Sequence, residues 1–148
     1  MEQKCYPQKG DYGKPSFYAR QEIISFWVMK GKRRIGSISF MRHHTYNENP
    51  DIWPPRCHGA IFTISFAVIP RYQHGGIGGI MMAWLIAYAR THGFMKIYST
   101  IRVSNMASIA LHKKFGFTVK SLISQCYTDA ENGFVLELAL PPKAGCSS

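Results

Sequence analysis

The sequence is poor in acidic residues: eight Asp and Glu stand against eighteen Lys and Arg in 148 residues, giving a formal charge of +10 and a pI near 9.7. Few carboxylates are left to line a site for a strongly cationic substrate, whereas polyanionic partners or phosphate-bearing ligands are favoured. Cysteine is sparse and scattered. Cys5, Cys57, Cys126 and Cys146 form no C-x-x-C pair, so neither a zinc framework nor a disulfide-dense scaffold is suggested, no metal is expected, and reduced thiols in a cytoplasmic protein are the expectation. Long apolar runs are missing as well. Ile80 to Ala89, ten residues, reaches about half of what a membrane helix needs, and the first fifteen residues hold no apolar stretch, so neither a membrane association nor a secretory signal is expected. No internal repeat or low-complexity tract is present. What the chain does have is 46% apolar and 18% charged residues, enough to bury a core, and a length that predicts one domain over 1–148.

Residues 1–21 are rich in Gly, Pro, Lys and Tyr without a period and predict an irregular segment, with a short edge strand near Lys4 to Tyr6 as its candidate element. Ile23 to Met29 and Ile35 to Met41 are rich in strand formers and flank the polar run Lys30 to Arg34, which predicts a hairpin. Residues 42–56 hold three prolines and two asparagines and predict a long loop that could border a substrate. Ala60 to Ile69 is almost continuously apolar, the pattern of a central strand covered on both faces. Helices are predicted from Gly79 to Thr91, stopped by Gly93, and from a cap at Ser104 or Asn105 to about Lys114, stopped by Gly116. Lys96 to Val103 reads as a strand between them. Val119 to Tyr127 and Phe134 to Leu140 read as two last strands around a turn at Asp129 to Gly133, and the tail 141–148 is expected to fray. The order β-β-β-α-β-α-β-β predicts an α/β (α+β) domain, a mixed sheet with helices packed on it.

The run Gln73-His74-Gly75-Gly76-Ile77-Gly78-Gly79 lies between the buried strand and the first helix. Free amides and the positive end of a helix dipole favour an anion such as a pyrophosphate there, and glycine lets a ligand approach the backbone. A tight turn alone would also use glycines, and that reading stays open. Three common phosphate motifs do not fit. No G-K-[ST] tripeptide is present. A dinucleotide fingerprint starting at Gly76 meets Met81 at its third glycine, and the next strand ends without an acidic residue. A kinase-type glycine loop needs a hairpin after it, where here an apolar helix follows.

Val68 to Gly79 resembles the acyl-CoA motif Q/R-x-x-G-x-G/A of the GCN5-related N-acetyltransferases, reading Gln73-x-x-Gly76-x-Gly78. Asn105 to Phe117 resembles the family's later motif: an asparagine, a small residue three on, an aromatic seven on and a closing Gly-Phe, here Asn105, Ser108, His112 and Gly116-Phe117. The motifs stand about 30 residues apart, in the family's order, and the resemblance covers about Ile23 to Leu140. It implies a mostly antiparallel sheet with splayed central parallel strands and, since about twenty residues cannot hold the family's usual first elements, a shortened N-terminal part. It also implies acetyl-CoA as acyl donor, lying along Phe66, Ala67 and Val68, with the Val68 N–H facing the thioester oxygen. The turn Gln73, His74, Gly75, Gly76, Ile77, Gly78 and Gly79 would cradle the pyrophosphate, and Asn105, otherwise a plain helix cap, would contact the cofactor.

The activity so implied moves an acetyl group to a primary amine, of a small molecule or a peptide, by direct attack in a ternary complex. His112 stands where the family often has a tyrosine acid; an imidazole near pKa 6.5 can give a proton more readily than a phenol near 10, and a packed or solvated helix histidine is the alternative. Where some relatives carry a glutamate, five residues before the asparagine, this chain has Thr100, so the base is open among His43, His44, His58, Glu137 and a water chain. The first predicted helix is apolar nearly all round, which suggests a partner surface and a homodimer. Lys30 to Arg34 reads as a solvated turn or as a contact for nucleic acid or a CoA phosphate, and Lys113 or Lys114 as surface lysines or contacts to the nucleotide end. A non-catalytic acyl-CoA-binding or regulatory module, or an RNA-associated protein, is the alternative reading.

Overall fold

A computed structural model describes residues 23–43, 59–73 and 75–140. Strands β1 (Ile23–Lys30) and β2 (Arg33–His43) form the expected hairpin. Strand β3 (Gly59–Val68) leads through a single 3-10 turn, Pro70–Tyr72, into helix α1 (Ile77–Thr91) and strand β4 (Phe94–Arg102). Helix α2 (Met106–Lys114) and strands β5 (Thr118–Ile123) and β6 (Gly133–Ala139) follow, so the observed order is the one read from the sequence. The segment 1–21, with its candidate strand at Lys4 to Tyr6, most of the loop 42–56 and the tail 141–148 lie outside the described residues.

Most boundaries shift by one or two residues, and two of the shifts have clear local causes. Helix α1 starts at Ile77 rather than Gly79, so Gly78 and Gly79 belong to its first turn; a Cβ on Gly78 would sit 3.2 Å from Leu111 Cδ2, so the glycine serves the approach of α2. Strand β5 ends at Ile123 rather than Tyr127, because Gln125 adopts φ 50° and gives its N–H to Asn132 Oδ1 at 2.9 Å, taking the chain out of the ladder. Gly93 and Gly116 end the two helices as expected, at φ 81° and 97°. Cys126 is buried and disulfide-bonded, so the expectation of reduced thiols does not hold at this position.

The six strands lie in the order β1-β2-β3-β4-β6-β5. Every neighbouring pair is antiparallel except β3–β4, whose parallel pairing requires a crossover, supplied by α1. The helix buries the stripe Met81, Met82, Leu85, Ile86 and Ala89 against Phe40, Ile61, Ile97 and Leu136 of the sheet. Complete burial of a side chain such as Leu85 or Phe40 contributes roughly 1.5–3 kcal/mol, so this layer fixes α1 over the two central strands.

The β2–β3 ladder pairs Ser39 with Ser65 but Phe40 with Thr63, which makes Ile64 the extra residue of a bulge. The β3–β4 ladder has its last pair at Phe62 and Tyr98. A bulge bends its strand and increases the local twist, and here it carries β3 away from β4 just past that pair. At the far end of β3, Gly36 lies against Val68, where an added Cβ would come 2.6 Å from the Ala67 carbonyl oxygen. Gly36→Ala should therefore destabilise the fold by about 1–3 kcal/mol, read as a lower urea midpoint at unchanged slope; a native midpoint would contradict this close approach.

Candidate functional site

Past Phe62 and Tyr98 the two parallel strands diverge around a cleft of about 190 Å³. Thr63 to Phe66 form one wall and Ser99 to Arg102 the other, with α2 contributing Asn105, Ser108 and His112. The Ile69 N–H donates to the Ile35 carbonyl at 2.8 Å. Strand alternation then turns the backbone groups of Ala67 toward β2 and those of Phe66 and Val68 away from it, toward the open side. Consistent with this, the Val68 carbonyl is free of the ladder and accepts from Gln73 Nε2 at 2.9 Å. The Val68 N–H has no partner among the described residues.

Gln73 thus pins the glycine turn to the end of β3. Gly76 enters α1 at φ 83°, a left-handed conformation that glycine adopts without strain, and provides no side-chain cap. The first helical bond runs from the Ile80 N–H to the Gly76 carbonyl at 3.2 Å. The amides of Ile77, Gly78 and Gly79 therefore point out of the helix end without protein partners among the described residues, at the positive pole of the α1 dipole.

On the inner side of the cleft, His112 is 3% exposed and both ring nitrogens are engaged. Nδ1 lies 2.8 Å from the Ser108 carbonyl and Nε2 lies 3.0 Å from Ser99 Oγ. A carbonyl can only accept, so Nδ1 carries the proton; in the neutral ring Nε2 then accepts from the Ser99 hydroxyl, whose oxygen accepts from Thr63 Oγ1 at 2.8 Å. Burial pushes the imidazole below its ordinary range, and the bond to the Ser108 carbonyl only partly opposes that. The chain Thr63, Ser99, His112 is thus a set of hydroxyls backed by a neutral imidazole, and both hydroxyl residues line the cleft.

The mouth of the cleft is held by ions. Arg102 donates to Asp129 at 2.7 Å and to Glu131 at 3.0 Å and stacks 4.1 Å from the Tyr127 ring centroid, while Glu131 also accepts the Ser104 N–H at 2.9 Å. The β5–β6 connection is thereby tied to the end of β4, with Tyr127 in the cleft wall.

The residues expected at the site fall into three groups. Phe66, His112 and Asn105 line the cleft, and Asn105 also caps α2 by accepting the Ser108 N–H at 3.2 Å. Val68, Gln73, Gly75, Gly76, Ile77, Gly78 and Gly79 are not in the cleft lining: they follow its β3 wall along the chain, from the strand end through the turn into the first turn of α1, and Ala67 is turned to β2. His74, like His44 and His58, lies outside the described residues, and His43 is described only through its backbone pair with Ala60. Glu137 is not brought to the cleft: it pairs with Lys96 at 3.3 Å and lies opposite Tyr98 in the ladder. Thr100 does line the cleft. Sequence reasoning missed Thr63 and Ser99, because neither stands out in its own strand, where Ser65 of β3 and Thr100 of β4 offer the same hydroxyl.

A family model described as the acetyltransferase (GNAT) family matches residues 1–117. Among curated relatives, the N-alpha-acetyltransferase of Sulfurisphaera tokodaii is 31% identical over 78 residues, 52% of this chain and 47% of the relative. The chain spans about half the length of the curated relatives it matches. Among solved structures, the ribosomal-protein-S18-alanine N-acetyltransferase from Escherichia coli superposes with a TM-score of 0.70 at 18% identity, over 90% of this chain and 79% of that one. The NatC complex bound to Gag peptide and CoA gives 0.68 at 19%, over 79% and 71%. These two likenesses show the fold, with its splayed sheet and flanking helices, and the family match adds descent: the chain belongs to the acetyltransferase (GNAT) family.

Proposed function

We propose that this chain transfers an acetyl group from acetyl-CoA to a primary amine, by direct attack in a ternary complex. The observation that carries the reading is that β3, whose edge is open past its last pair with β4, leads through a turn held by Gln73 into an uncapped glycine-rich helix start. The residues fit the coenzyme. Val68 and Phe66 offer backbone groups to an extended chain along β3, and the amides of Ile77, Gly78 and Gly79 suit a pyrophosphate. Gly75 and Gly76 keep that surface clear of side chains, His74 belongs to the same turn in sequence, Gln73 holds the turn, Ala67 supports the strand from the β2 side, and Asn105 borders the cleft. Acetyl-CoA would supply the activated thioester.

The protein's own part is to orient, polarise and move one proton. The Val68 N–H is the donor available to an oxygen gaining negative charge. His112, expected as an acid, works in both directions through Ser99. In the resting state Nε2 is unprotonated; as the attacking nitrogen gives a proton to Ser99 Oγ, Ser99 passes its own to His112. The imidazolium then returns a proton by the same hydroxyl to the departing sulfur, so the ring ends as it began. His112 is in this sense a proton store, and Ser99 the group that meets the reactants.

The acceptor in this reading is the α-amine of a peptide. The relatives' names point to such substrates, and the cleft lining contains no carboxylate among the described residues. An α-amine, with a pKa near 7.7–8.0 against about 10.4 for lysine, is partly neutral at physiological pH and needs only weak base assistance. A second subunit could cover the apolar strip on which Trp27 and Ile80 are 59% and 64% exposed. No described helix is long and apolar enough to cross a membrane. We place the activity in the cytoplasm.

Incubation of acetyl-CoA with peptides bearing a free N-terminal amine should release thiol in step with peptide acetylation, and N-terminally blocked copies should not react; tight coenzyme binding without turnover on any free amine would contradict catalysis. Ser99→Ala and His112→Asn should each lower kcat by roughly 10²-fold with KM for acetyl-CoA little changed, and the double variant should lose little more, because the residues act as one unit. Since burial lowers the His112 pKa, the ring is mainly neutral at its ordinary value near 6.5, and the acid limb of kcat should have its midpoint below that value. His112→Asn should abolish that limb, and its persistence would remove His112 from the proton path.

A further inference from the structure

Four cations converge on one phenol beside the glycine turn. Arg33 Nη1 donates to the Tyr72 hydroxyl at 3.1 Å, Lys30 Nζ and Arg71 Cζ lie 5.4 and 5.3 Å from the ring centroid, and Lys32 lines the same hollow as Lys30, Arg33 and Tyr72. No described carboxylate answers them. Asp129 and Glu131 are engaged by Arg102, and Glu137 by Lys96 and Lys120, at the other side of the sheet order. Like charges gathered at one point repel, and such an arrangement is stabilised by a bound anion. The hydrogen bond from Arg33 holds the Tyr72 phenol below its ordinary range, with the charges of Arg33, Arg71 and Lys30 adding to it, a sign of local positive potential.

The place of the cluster narrows the anion. An adjoining hollow of about 400 Å³ is shared by Lys30, Arg71 and Tyr72 with Gln73, Gly75 and Ile77, so it runs without a break from the hairpin cations to the rim of the turn and the first residue of α1. Those last residues are the proposed pyrophosphate cradle. A ligand seated there and carrying a further phosphate on its nucleotide end could extend it into the hollow. We infer that Lys30, Lys32, Arg33 and Arg71, gathered around Tyr72, form a phosphate-monoester subsite that takes the terminal ribose phosphate of the coenzyme. The inference rests on the proposed function, because it assigns the neighbouring cradle to the same molecule. Arginine supplies a planar fork and lysine a compact charge for such a group. RNA, whose backbone would meet the same cations, is the rival occupant; the continuity with the glycine turn favours the coenzyme.

Titration calorimetry of the full chain with CoA and with 3′-dephospho-CoA tests this without any turnover. The native chain should bind CoA about 10-fold more tightly or better, the free-energy scale of one charge-assisted contact, and the preference should narrow as salt rises. Lys30→Gln/Arg33→Gln, both at exposed hairpin positions, should bring CoA affinity down to that for dephospho-CoA and leave the latter unchanged, with a native melting temperature. Equal native affinity for the two ligands would overturn the subsite while leaving the coenzyme reading intact. Failure of both to bind at millimolar concentration would overturn the coenzyme reading and the subsite with it. A variant that binds CoA normally but loses affinity for a single-stranded RNA would assign the cluster to RNA and overturn the proposal.

Discussion

One extra residue in β3 governs the geometry of the whole site. Ile64 adds a bulge against β2 immediately after the last parallel pair, Phe62 with Tyr98, and from there β3 and β4 part. Were the two strands to pair to their ends, the backbone groups of Phe66 and Val68 would be consumed by β4 and the space between Thr63 and Ser99 would close. The bulge is affordable because α1 clamps the paired half of both strands from above, through Met82, Leu85 and Ile86. Rigid pairing on one half and separation on the other turn a sheet into a holder for an extended ligand.

The same separation explains the hydroxyl chain. In a closed sheet Ser99 would lie under the helices as an ordinary buried polar residue. In the splayed sheet it stands at the boundary between core and cleft, with His112 behind it and Thr63 beside it at 2.8 Å. Because the imidazole donates its Nδ1–H to the Ser108 carbonyl, which can do nothing but accept, only one tautomer satisfies all three side chains. A buried polar group without a partner is expensive, so the network is fixed by the need for satisfaction. Its free end faces the cleft.

Much of this was legible in the sequence, and what was not has physical causes. Apolar runs and glycine stops located all six described strands and both helices, since burial and helix termination are local signals. The boundary at Ile77 was missed because Gly78 and Gly79 read as turn residues, whereas they are helical glycines that let Leu111 and Phe115 approach. The end of β5 was missed because the side chain of Asn132, across the hairpin, decides it. Asn105, His112 and the glycine turn could be named from motif spacing. Thr63 and Ser99 could not, because their meeting depends on the register of two parallel strands, which no local pattern encodes. The cluster around Tyr72 was visible only as a basic run at Lys30 to Arg34; its convergence with Arg71 is set by the length of the hairpin.

The central claim is that acetyl-CoA lies along the free edge of β3 with its phosphates on the first turn of α1. Amide resonances of the isotope-labelled chain, followed as acetyl-CoA is added, read that edge and that turn directly. The account predicts that the signals of Phe66, Val68, Ile77, Gly78 and Gly79 move together and saturate at one dissociation constant. Unmoved signals for Val68 and for the three helix-start amides at saturating coenzyme would contradict it.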